Sequence, residues 1–89
     1  VLTLPAVVTH AQALETAHGL TRQVAAQPAG VVLDASALTQ FDSSALAVML
    51  ACRRQAMAAG KTFAVHGLPA RLGQLAGLYG VAELIPAAA

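Results

Sequence analysis

One stretch limits the folds open to this chain more than any other. From Ala45 to Cys52 every residue is apolar, with Asp42-Ser43-Ser44 in front and Arg53-Arg54 behind. Aspartate and serine are favoured at helix starts because their side chains accept hydrogen bonds from the free N–H groups of the first turn. Gly60 supplies the matching stop. The segment therefore reads as a helix that begins at Asp42 or Ser43 and runs to about Ala59. A helix whose first half is apolar all round has to be buried on more than one side. Arg53 and Arg54 lie in its second half, where positive charge suits the negative end of the helix dipole.

A chain of 89 residues has room for one domain, 1–89, to supply that burial. A domain of this size buries only about 60% of the surface its unfolded chain exposes, so its core must be dense. With 57% hydrophobic and 10% charged residues, the composition supplies such a core and excludes intrinsic disorder. So few charges also leave apolar area on the surface, which points to a partner. A membrane span needs about 20 consecutive apolar residues, far more than Ala45 to Cys52 provides. Val1 to Leu4 runs straight into Pro5 without the basic start and long apolar core of a signal peptide, and the single Cys52 suits a reducing compartment. The expectation is a soluble cytoplasmic protein with no direct membrane insertion. A net charge of +1 and only Phe41, Phe63 and Tyr79 as aromatics argue against nucleic acid as a partner.

Around the central helix the pattern alternates. Val1 to Leu4 reads as a short strand. Thr9-His10-Ala11-Gln12 has the form of a capping box, and Ala13, Ala17, Leu20 and Val24 follow on one helical face until Pro28 and Gly30. Val31 to Ala35 reads as a strand covered on both faces, and Ser36 to Phe41 as a loop. Lys61 to His66 is another strand, broken by Gly67. A third helix follows from Pro69, with Leu68, Leu72, Leu75 and Tyr79 at helical spacing and Gly80 as its stop. Leu84-Ile85 reads as a last strand before Pro86. The order β-α-β-α-β-α-β predicts an α/β fold, a small mixed sheet packed against helices.

Catalytic chemistry finds little support. His10, His18, His66 and Cys52 lack metal-ligand spacing, no phosphate-binding glycine loop is present, and neither a metal nor a cofactor is expected. A Ser43/His66/Asp34 hydrolase triad has no G-x-S-x-G motif behind it. Cys52, in a buried helix, reads as a small hydrophobe, the three histidines as surface residues, and Tyr79 as core. Phe41 to Ala47 carries two compatible readings: a capped helix start, and an exposed electropositive end at which Ser43 and Ser44 accommodate a phosphoryl group.

Val31-Val32-Leu33-Asp34-Ala35-Ser36-Ala37-Leu38 followed by Phe41-Asp42-Ser43-Ser44-Ala45-Leu46-Ala47 resembles the signature of STAS domains. In that family a buried strand and a loop lead to D-S-S-G-L or D-T-x-G-L at a helix start. Ala45 stands here where glycine is usual, and the family's first strand is missing or cut short. The segment Leu75-Ala76-Gly77-Leu78-Tyr79-Gly80 is similar to the MlaB-like branch, cytoplasmic STAS subunits of Mla-type phospholipid-transport ABC systems. The resemblance implies a non-catalytic accessory subunit that binds and supports an MlaF-like ABC ATPase subunit. Its partner-facing residues would be Asp42, Ser43 and Ser44, with Arg53 and Arg54 as further interface candidates. The other branch, anti-sigma factor antagonists, implies an anti-sigma serine kinase as partner and Ser43 as the phosphorylated residue.

Overall fold

The structure, a computed structural model, describes residues 2–28 and 30–87. In chain order it comprises β1 (Leu2–Thr3), β2 (Val7–Val8), α1 (His10–Ala26), β3 (Gly30–Asp34), β4 (Gln40–Phe41), α2 (Ser43–Ala58), β5 (Thr62–His66) and α3 (Ala70–Leu78), then a 3-10 turn at Ala82–Leu84. The expected α/β packing of sheet against helices is present. The one small mixed sheet expected is corrected: every strand pairing among the described residues is parallel, because each strand is joined to its neighbour by a helical crossover or a long connection, and the strands form a sheet of order β1-β3-β5 and a separate β2-β4 pair. Val1, assigned to the first strand from sequence, lies outside the described residues.

The sheet is covered on one face. Leu2, Leu4, Val31, Leu33, Phe63 and Val65 are buried and join one core with Leu20 and Val24 of α1, the inner residues of α2, and Leu72 and Ala76 of α3. Val32 and Ala64 on the other face are half-buried, and Thr62 and His66 there are exposed. This corrects the reading of Val31 to Ala35 as covered on both faces. The reason is topological: strand order follows chain order without reversal. Right-handed crossovers laid down in one direction put each helix on the same side of the sheet.

The sequence pattern also missed β2 and β4. Val7 pairs with Gln40 and Val8 with Phe41, in register. Before them, the Ala6 carbonyl accepts from the N–H groups of Thr39 and Gln40 at 2.8 and 3.0 Å. Two parallel strands that end level bring the residues after them, Thr9 and Asp42, to the same height. These are the N-caps of α1 and α2, so the two helices start side by side and run in the same direction.

α2 buries Ala45, Leu46, Val48, Met49, Cys52 and Ala56, while Ala47 in the same apolar run stays exposed. Leu84-Ile85 does not make the expected last strand. Ile85 is buried after the 3-10 turn, and the tail meets the edge of β5 through a Val65–Ala87 bridge, in which the Pro86 carbonyl accepts from the Val65 N–H at 2.8 Å. Proline, with no N–H, cannot donate a ladder bond there.

Candidate functional site

Chemistry-bearing side chains gather at the carboxyl end of the strands, where α1 and α2 begin. Asp42 is the N-cap of α2: its Oδ1 accepts from the Ser44 N–H at 2.8 Å. Its other oxygen, Oδ2, accepts from the N–H of His10, the first residue of α1, at 3.0 Å. One carboxylate thus satisfies a free N–H at the start of each of two helices. Those bonds, first to Ser44 and then to His10, hold the Asp42 carboxyl below its ordinary value of 3.8. The Thr9–Gln12 capping box forms as expected, with the Thr9 N–H donating to Gln12 Oε1 at 3.1 Å.

The two serines differ. Ser43 is exposed at the first position of α2, whereas Ser44 is half-buried. Ser44 lines a groove of about 330 Å³ between α1 and α2, with His10, Ala13, Leu14, Ala17 and Ala47 among its other walls. Leu14 is 71% exposed on its rim. Part of the apolar surface anticipated from the low charge lies here, and Met57, Leu78 and Leu84 expose more of it elsewhere.

Arg53 and Arg54 do not join this cluster. Ser43, Ala47, Leu50 and Arg54 share one face of α2 by their spacing, but Arg54 stands about 16 Å along the helix from Ser43. Arg53 points about 100° away from that face and is half-buried. Arg71, which sequence reasoning passed over, is instead close: its guanidinium lies 5.9 Å from the centre of the Phe41 ring. Together with Thr9, Gln12, Thr39 and Gln40 it lines a second, more polar recess of about 510 Å³. The available signal was its position, since a cation in the first turn of a helix opposes the dipole and needs another partner.

The triad residues are not assembled. Asp34 and His66 are neighbours across β3 and β5. However, Asp34 Oδ1 is occupied by the Ser36 hydroxyl and N–H at 2.6 and 2.9 Å, bonds that lower its carboxyl below 3.8. No hydrogen bond joins Ser43 to a histidine among the described residues. Burial pushes the Cys52 thiol up to about 11, which leaves the thiol protonated and unreactive at neutral pH. Tyr79 corrects its assignment to the core: it is 56% exposed, with Leu78 beside it at 78%. The helix closes at Leu78, so Tyr79 falls past the buried Leu72–Ala76 face and becomes the C-cap.

A one-sided parallel sheet whose capped helix starts flank an apolar groove defines a small α/β domain. The chain matches a family model described as "Mlab, STAS domain" over residues 1–86, and it belongs to the STAS domain family. Membership points to an accessory or regulatory, non-catalytic role. No curated protein matches the chain. Among the described residues, no helix is long and apolar enough to cross a membrane.

Proposed function

We propose that this chain is a non-catalytic accessory subunit that binds and supports the ATPase of an Mla-type phospholipid-transport ABC system, which maintains outer-membrane lipid asymmetry. The observation that carries this reading is the exposed Ser43 at the head of α2, beside an apolar groove rimmed by Leu14, in a chain whose family model bears the Mlab description. A rigid helix start and an apolar wall offer a partner both hydrogen-bonding groups and buried area, the two components of a stable interface. In this role the domain sits on the cytoplasmic face of an inner-membrane complex. It favours the ATPase conformation it binds more tightly, since only differential affinity shifts such a balance.

A second reading rests on the exposure of Ser43 alone. An anti-sigma serine kinase could reach that hydroxyl, and phosphate would add about −1.5 to −2 charges at a helix start that tolerates anions. In a packed interface the same charge would have to lose its water. Affinity purification of the tagged protein from its native cells separates the two readings. Recovery of an ABC ATPase with its permease supports the first, and recovery of a serine kinase of the anti-sigma type replaces it with the second. Ser43→Asp is expected to keep the fold and weaken partner recovery, with Ser43→Ala close to wild type. Equal recovery with all three versions removes Ser43 from the interface.

A further inference from the structure

The two N–H groups bonded to Asp42 belong to His10 and Ser44, and both residues also line the groove between α1 and α2. They stand on opposite walls at its upper end. The carboxylate therefore spans the groove mouth as a clip between two helices, fixed there by the level ends of β2 and β4. We infer that Asp42 is a positioning residue: it sets the width of the α1/α2 groove and acts on a docking partner through that groove, instead of by contact.

The geometry gives each oxygen a separate task. Oδ1 serves its own helix, a local bond that any good N-cap can make. Oδ2 serves the other helix, and only an acceptor with a second oxygen and sufficient reach can do so while Oδ1 is engaged. A serine at this position caps α2 but leaves His10 unbonded. The titratable and charged groups around the clip are His10 itself on α1 and, from α3, Arg71 over the neighbouring Phe41 ring. The effect on a partner rests on the reading given under Proposed function; the clip itself does not.

The test begins with the unmodified chain. Amide chemical shifts of His10 and Ser44 are followed by NMR from about pH 6 down to about pH 2.5. Both are expected to move with one common midpoint, below the usual aspartate value. A Ser44 shift with a flat His10 shift overturns the clip. Two variants then separate its halves by hydrogen exchange. In Asp42→Ser the His10 amide should exchange on the order of tenfold faster while Ser44 stays near wild type, and in Asp42→Ala both should speed up. Unchanged His10 exchange in both variants overturns the inference, and the wild-type titration decides the question if either variant fails to fold. Partner recovery supplies the last readout. A folded Asp42→Ser protein should recover several-fold less partner than Ser43→Ala; equal recovery leaves the clip without a role in docking. Failure to recover any ABC component leaves the NMR result standing and counts only against the transporter reading.

Discussion

The two ends of the helix layer are built differently. At the carboxyl end of the strands, Asp42 ties the starts of α1 and α2 together, Asp34 holds the Ser36 turn, and the Ser43 hydroxyl stands exposed. At the opposite end, Lys61 at the entry to β5 donates from Nζ to the carbonyls of Val24 and Ala25, at 2.8 and 3.1 Å, and closes the last turn of α1. α1 is thus anchored by an anion at its positive end and a cation at its negative end, each matched to the dipole. The difference is that the Lys61 end is closed on itself, whereas the Asp42 end is fixed from within but leaves a groove and a serine on its surface. The carboxyl end of the strands thus brings the capping carboxylate, the exposed serine and the apolar groove onto one surface.

The sharpest comparison uses two glycines with nearly the same backbone. Gly67, at the carboxyl end of β5, has φ +70°, and Gly60, after α2, has φ +72°. A Cβ on Gly67 would come 2.8 Å from the Cβ of Ser36, while one on Gly60 meets nothing within 4 Å. Gly67→Ala should lose about 3 kcal/mol, from the left-handed conformation and the clash together. Gly60→Ala should lose about 1 kcal/mol, from conformation alone. Urea unfolding of both variants checks this. Equal losses would mean that Ser36 moves freely and the carboxyl end is not the rigid one.

Next in size is the pair of anchors. Lys61→Met keeps the apolar stem but removes the donor, and should cost about 1 kcal/mol, confined to the last turn of α1. Asp42→Ala strips two helices of a bond at once and should lower the melting temperature further than Lys61→Met does. The reverse order, read by calorimetry, would show that α1 is held mainly from its C-terminal end.

Much of this was legible wherever both partners lie close in sequence. The Thr9–Gln12 box and the stop at Gly60 are local, so spacing alone reveals them, and the α2 start is narrowed to Asp42 or Ser43, of which the structure selects Asp42 as the cap. The Asp42–His10 and Lys61–Val24 bonds span 32 and 37 residues, and they exist only because strand register brings the elements level. β2 and β4 were missed for a related reason. Strands of two residues carry no alternation to detect, and Gln40 and Phe41 read as the end of a loop until Val7 and Val8 pair with them. Strand order likewise decides whether Val32 faces a helix or the open side of the sheet, and the local apolar run cannot report it. Tyr79 reads as core only when the apolar periodicity is extended one step past the last helical residue, Leu78.

Acid should separate the ends without any mutation. The Asp42 and Asp34 carboxyls both lie below their ordinary value of 3.8, through bonds made only in the folded chain. Groups depressed in this way stabilise the fold above that value, and the contribution fades as pH falls through the folded values. Between about pH 4 and pH 2, exchange of the His10, Ser36 and Ser44 amides should therefore accelerate before that of amides in the last turn of α1. Simultaneous loss at both ends would show that the molecule responds to acid as one unit.

The smallest effects on stability belong to the variants that map the partner's footprint on α2. Ser43 and Arg54 occupy the same exposed face of α2 about three turns apart, so a partner lying along the helix touches both, while one seated over the helix starts touches Ser43 alone. Neither Ser43→Ala nor Arg54→Ala should shift stability by more than about 0.5 kcal/mol, because both side chains face solvent. Their binding effects, measured against the recovered partner, then fix the footprint. A loss with Ser43→Asp alone confines the interface to the carboxyl end, next to the Asp42 clip. A matching loss with Arg54→Ala extends it down α2 past Ala47 and Leu50, and would mean that the apolar face of the helix, as well as its start, is what the partner covers.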